Sequence, residues 1–142
     1  MIKSDDSAPS NFHFEVLEED ECRRLLRQKH IGRIVWLDAD EPQALPINYV
    51  MDNDTILFRT SPQSVIAKVA HQGSAAFEVD DIDEFLGTGW SVLVTGTPAA
   101  VESSELPKSF YDRPQPWASG PRNLYIRLEP RRISGRRLAS HL

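Results

Sequence analysis

The sequence is poor in the residues that carry much covalent and metal chemistry. It holds one cysteine, Cys22, in 142 residues, so no intrachain disulfide forms and a cysteine-rich zinc site is excluded. A reducing compartment, the cytoplasm, is the expected location. The four histidines, His13, His30, His71 and His141, are scattered and lack the close spacing of a metal site; no metal is expected. No G-x-S-x-G occurs, so the serine-hydrolase elbow is missing. No run of about 18 apolar residues is present, and residues 1–10 have no apolar stretch of signal-peptide length, so neither secretion nor a membrane partner is expected.

What the chain does have is a one-domain length and a lopsided charge. Its composition, 40% hydrophobic and 26% charged, is that of a globular domain large enough to build a core. Residues 1–112 carry 9 Lys+Arg against 20 Asp+Glu, whereas residues 113–142 carry 7 Arg against Glu129 alone. Arg131, Arg132, Arg136 and Arg137 cluster within that tail. The acidic remainder would repel a phosphate backbone, and the segment holds no recognised reading motif, so no nucleic-acid partner is expected. The arginines are expected to face the acidic body of the same chain or of a second copy.

Periodicity divides the chain into an N-terminal arm, residues 1–14, and one domain, residues 15–142. From Leu17 to Lys29, Cys22, Leu25 and Leu26 recur at helical spacing, with acids at the start and bases at the end. Glu19–Arg23 and Asp20–Arg24 are candidate i,i+4 pairs. After Gly32 the period becomes two. Arg33–Leu37 reads as a strand with Trp36 in the core, and Leu45–Met51 with Thr55–Arg59 as a hairpin in which Pro46 implies an edge or a bulge. Ser61 and Pro62 suit the N-cap and first residue of a second helix. Ser74–Val79, Trp90–Thr97 and Asn123–Leu128 complete about six strands, with an acidic loop at residues 80–84 and a proline-rich excursion over 103–122. The economical architecture is mainly β, a small antiparallel barrel with helices at its openings.

The most suggestive local feature is Arg59-Thr-Ser-Pro-Gln-Ser64. A strand there delivers an arginine and hydroxyls into a helix start, a combination that binds anions, with Arg59 bidentate on a phosphate and Thr60, Ser61, Ser64 and the Ser64 and Val65 amides completing the cradle. The competing reading is a capping serine beside a surface arginine. Trp90 and Trp117 each follow a Gly- or Pro-rich turn, places where indoles line pockets or interfaces.

The ordered series Gly32-Arg33, Leu45-Pro-Ile-Asn-Tyr49, Phe58-Arg-Thr60, Ala76-Phe-Glu-Val-Asp80, Gly89-Trp-Ser-Val-Leu-Val-Thr-Gly96, Pro116-Trp117 and Ile133-Ser-Gly-Arg136 resembles the pyridoxamine 5′-phosphate oxidase-like proteins of the split-barrel flavin-binding type. The resemblance spans about residues 15–138. It implies a six-stranded antiparallel split barrel, a homodimer, and FMN bound in two sites at the subunit interface. It places the phosphate on Arg59, Thr60, Ser61 and Ser64, sets the backbone of Ile47, Asn48 and Tyr49 against the ring's polar edge, and brings Trp90, Ser91 and Trp117 near the ring or its substrate side. Relatives often carry a lysine where this chain has Val65, and Lys68, about one helical turn on, is the candidate substitute. The function implied is a flavin-dependent oxidoreductase acting on a small organic substrate, with no catalytic side chain named. The alternative is a non-catalytic carrier of flavin, the deazaflavin F420 or a tetrapyrrole.

Overall fold

The computed structural model describes residues 12–107 and 124–140; Trp117 and most of the proline-rich excursion lie outside them. In chain order the elements are β1 (Phe12–Val16), α1 (Glu19–Gln28), β2 (Ile31–Asp38), β3 (Glu41–Asp52), β4 (Thr55–Thr60), a 3-10 helix (Val65–His71), β5 (Ala75–Asp83), β6 (Thr88–Val101), a 3-10 turn (Ser103–Glu105) and β7 (Leu124–Ser140).

Helix α1 buries Cys22, Leu25 and Leu26, as their spacing predicts. Arg23 pairs with Glu19 at 2.5 Å, but Arg24 pairs with Glu21 at 2.6 Å, one residue nearer than Asp20. Such exposed pairs add only a few tenths of a kcal/mol. Burial of the two leucines, about 1.5–3 kcal/mol each, is the larger hold.

The strands pair antiparallel in the order β1-β7-β4-β3-β2-β5-β6, and β6 returns to pair with β7. Six strands, β2 to β7, therefore close on themselves, and a seventh lies outside the ring. That seventh strand corrects the sequence reading: Phe12–Val16 pairs with Arg136–Ser140, so residues 12–14 leave the arm drawn to residue 14. The inner surface is a continuous core that includes Ile34, Tyr49, Phe58, Phe77, Val92 and Ile126. Trp36, 3% exposed, belongs to it.

Three other boundaries move. The acidic run does not form a loop from Asp80, because β5 continues to Asp83, paired with Thr88 of β6. The arginine-rich end is strand throughout: β7 runs 17 residues, straight past Pro130. The ladder tolerates that proline because Pro130 meets Gly96 at a β-bulge between Thr95 and Gly96, where a missing N–H costs least. A Cβ on Gly96 would collide with the Glu129 carbonyl oxygen, so glycine is needed for the strands to approach. The second helix starts at Val65 rather than Pro62, and it is a 3-10 helix.

Tyr49 joins the barrel to α1. Its ring is 1% exposed and meets Phe77 edge-on at 4.8 Å, while its hydroxyl donates to the Leu26 carbonyl at 2.6 Å. Burial pushes the phenol's pKa up. Tyr49→Phe would strand that carbonyl, and a loss of about 1–3 kcal/mol is expected. The measurement is a lower urea midpoint with an unchanged slope.

Candidate functional site

Strand β3 serves two neighbours in turn. Residues 41–48 pair with β2, and Tyr49–Asp52 pairs with Thr55–Phe58 of β4. Beyond the Tyr49–Phe58 pair, β4 continues through Arg59 and Thr60 on β7 alone. The sheet is split at this point, with Ile47 and Asn48 on one lip and Arg59 and Thr60 on the other. Pro46 lies in the half of β3 that lacks a β4 partner, the edge position its missing N–H requires.

On the β4 lip the hydroxyls form a chain. Thr60, 3% exposed, shares a hydrogen bond with Ser64, Oγ1 to Oγ 2.7 Å, and Ser64 Oγ lies 2.9 Å from the Ser61 carbonyl oxygen. The Ser61 hydroxyl accepts from the Gln63 amide at 3.3 Å, a local turn contact rather than a helix cap. The Ser64 amide is committed as well, donating to the Ser61 carbonyl at 3.0 Å, which removes one of the two amides expected in the anion cradle. The Arg59 guanidinium stands 5.6 Å from the centroid of the Tyr125 ring, which orients it from the neighbouring strand. Val65 is 54% exposed. The Lys68 amine, the expected stand-in for a lysine at that position, pairs with Asp38 at 3.2 Å.

On the β3 lip, Ile47 and Tyr49 point into the core, so by strand alternation Asn48 points outward. Its side-chain oxygen is nevertheless buried and has no hydrogen-bond donor among the described residues. An acceptor in that condition costs about 1–3 kcal/mol unless something donates to it. It suits a ligand that presents an N–H. Trp36 Nε1 is also unpartnered, but it sits in the core.

Of the remaining sequence-predicted residues, Trp90 is 8% exposed and part of the core cluster. Ser91 faces the opposite side, where Arg136 of β7 is its cross-strand partner. Trp117 lies outside the described residues. The structure thus gathers Ile47, Asn48, Tyr49, Arg59, Thr60, Ser61 and Ser64 around the split and leaves Trp90 and Ser91 away from it. No described group of three or more His, Cys, Asp or Glu could hold a metal, and no described helix is long and apolar enough to cross a membrane.

Sequence reasoning missed a coupled acid cluster on the outer face. Glu78 on β5 lies opposite Arg33 of β2, with Arg33 Nη1 3.4 Å from Glu78 and 3.7 Å from Asp80. Burial, reinforced by the Asp80 carboxylate, raises the Glu78 pKa to about 7 against the pull of Arg33. The signal was the Glu-x-Asp alternation, which puts both acids on one face of a strand, but whether that face was covered could not be read. Because the folded value lies above the unfolded one, this contribution to stability is complete below about pH 4.5 and is lost as pH rises towards 7. Glu78→Gln is expected to flatten the pH dependence of the thermal midpoint across that window while leaving its acid side unchanged.

Comparison with known proteins agrees with this architecture. A family model described as pyridoxamine 5′-phosphate oxidase matches residues 18–137. An uncharacterised protein of Mycobacterium tuberculosis is 31% identical over 130 residues, covering 87% of this chain and 85% of that one. The solved FAD-binding protein of Mycobacterium smegmatis is 30% identical, with a TM-score of 0.70 over 88% of this chain and 98% of its own. An FAD-binding protein of Mesorhizobium loti, at 17% identity and TM-score 0.72, covers 91% of this chain and 99% of its own and shares the fold.

Proposed function

Because the chain belongs to the pyridoxamine 5′-phosphate oxidase family, we propose that it binds FMN in the opening between β3 and β4 and acts as a flavin-dependent oxidoreductase on a small organic substrate. The observation that carries this reading is an orphaned acceptor, Asn48 Oδ1, on one lip of a split whose other lip holds an arginine and three hydroxyls. The first suits the polar edge of a flavin ring and the second suits its phosphate. The FAD-binding relative at 30% identity supports a flavin as the class of ligand.

In this reading Arg59 grips phosphate oxygens through its planar fork, and Thr60, Ser61 and Ser64 turn their hydroxyls from one another to the ligand. Asn48 accepts from the ring; on either side of it Ile47 pairs with Gly32 of β2 and the Tyr49 amide donates to the His30 carbonyl at 2.9 Å, so of the three backbones proposed for the ring's polar edge that of Asn48 is the one turned to the opening. Bound flavin supplies hydride transfer, and the protein's part is binding, orientation and the exclusion of water; no side chain is assigned a proton-transfer step. Ile31 and Leu37 are 45% and 54% exposed on the outer face, beside Ala44 and Pro46 of β3. A two-fold homodimer built on this face, which also carries Arg33 opposite Pro46, would cover the split, and the family resemblance assigns Ser91 and Trp117 to the ligand from the second copy.

One observation favours the carrier alternative, for flavin, F420 or a tetrapyrrole. With Val65 in place of a lysine and Lys68 tied to Asp38, Arg59 is the principal cation on the phosphate lip. Each missing charge-assisted contact weakens binding roughly ten- to a hundredfold. FMN titration followed by flavin fluorescence tests the site: Arg59→Ala is expected to weaken binding by about that factor, and Val65→Lys to tighten it about tenfold. A protein that stays colourless through the titration sinks the flavin reading. Anaerobic photoreduction of the loaded protein, followed by reoxidation with added acceptors, separates an oxidoreductase from a carrier.

A further inference from the structure

We propose that the tip of the β5–β6 hairpin docks into the groove beside the end of α1 on a second copy of this chain. The inference rests neither on the flavin reading nor on the face that carries Ile31 and Leu37. Phe85 at the tip is 96% exposed, and Leu86 and Ile82 beside it are 57% and 51% exposed. Single apolar side chains in water are ordinary. Three together at one projecting end mark a contact surface.

The tip is built to hold its shape. β5 and β6 stay paired as far as Asp83 and Thr88. The turn beyond is closed by the Gly87 amide on the Asp83 carbonyl at 2.8 Å and by the Leu86 amide on the Asp83 carboxylate at 3.0 Å. Gly87 takes φ 68°, a left-handed step that glycine makes without strain. Phe85 therefore stands out from an ordered turn, and docking it loses little conformational freedom. The tip is also acidic. Asp81, Asp83 and Glu84 flank the apolar residues, and Glu84 has no partner among the described residues.

The groove has the opposite character. Its volume is about 200 Å³, and it is lined by Arg27, Lys29, His30, Val50 and Met51. Sites for whole small molecules run to roughly 300–1,000 Å³, so this one suits side chains. Val50 and Met51 supply an apolar surface, and the other three residues supply donors. Arg27 shares its carboxylate, Asp54 at 3.4 Å, with Arg23, and the His30 ring has no partner among the described residues. Lys29 holds Asp81 at 2.9 Å, so an acid from the base of the hairpin already sits on the rim of the groove within one chain. The tip of that hairpin lies beyond this contact and stays in water, which leaves the groove to another molecule. Tip and groove are thus neighbours on one surface. A two-fold axis between two copies lets each tip enter the other's groove, a contact that closes on itself. Phe85 and Leu86 then meet Val50 and Met51, while Glu84 accepts from Arg27 and His30.

The test is sedimentation of the full chain, in reductant, over a concentration series. Concentration-dependent pairing is expected, of the weak kind that small interfaces give. Phe85→Ser should weaken it about ten- to a hundredfold with an unchanged thermal midpoint, because Phe85 is almost wholly exposed in its own chain. His30→Glu, on the groove side, should weaken it as well. Phe85→Cys chains mixed with His30→Cys chains should cross-link to each other on oxidation, the native Cys22 being buried. A monomer at every concentration overturns the proposal. So does pairing that Phe85→Ser leaves unmoved, because the second copy is then held by another face, such as that of Ile31 and Leu37. Mixed chains that fail to cross-link while the wild type pairs overturn it too. A protein that pairs through Phe85 but stays colourless with FMN sinks the flavin reading and leaves this docking intact.

Discussion

Everything in this molecule depends on β3 changing partner at Tyr49. A closed ring of strands leaves no exposed edge and no opening for a ligand. An open sheet leaves edges but no enclosed core. Here residues 41–48 of β3 pair with β2 and residues 49–52 with β4, so the ring closes and still parts over a short length. The exchange is pinned from inside by the Tyr49 ring against Phe77 and by its hydroxyl on the last turn of α1. Packing on one side of the strand thereby fixes the backbone that is open on the other.

The charge asymmetry resolves into separate uses. Arg127 holds the β3–β4 turn through Asp52 and Thr55, and Arg137 ties β7 to α1 through Glu21. These are the pairings with an acidic body that the sequence led one to expect. Neighbouring arginines in a strand point to opposite faces, so a cluster in the sequence is not a patch on the surface. The exposed pairs contribute little each; the partly buried Arg127 bridge, joining elements distant in the chain, is the one with structural weight.

Much of the barrel was legible because its signals are local. The α1 stripe of Cys22, Leu25 and Leu26, the hairpin of β3 and β4 and the buried Trp36 follow from spacing and turn chemistry. The seventh strand was not legible, since Phe12–Val16 alternates apolar and polar residues over only five positions at the end of a polar arm, and its pairing partner is the far end of β7. The length of β7 was hidden by Pro130, a proper breaker signal that only its glycine partner across the ladder overrides. In the candidate site, Arg59 and the hydroxyls could be read from a strand-to-turn junction. The burial of Asn48 Oδ1, the capture of Lys68 by Asp38 and the inward turn of Trp90 are properties of pairing across the sheet, which one strand's sequence does not carry.

The bulge at Gly96 has an effect that reaches beyond the local kink. Before it, the even-numbered residues Ile126 and Leu128 of β7 face the core; after it, the odd-numbered Ile133 and Gly135 do. Arg131 is the added residue that changes the parity. Without Arg131 the strand would alternate regularly from Pro130 to Arg132 and keep both faces; with Arg131 forced into a straight ladder, Arg132 and Arg136 would turn towards the hydrophobic interior and Ile133 into water. One irregular step in the ladder thus lets β7 carry a residue more than β6 over this stretch while charge stays on the outer side of the barrel.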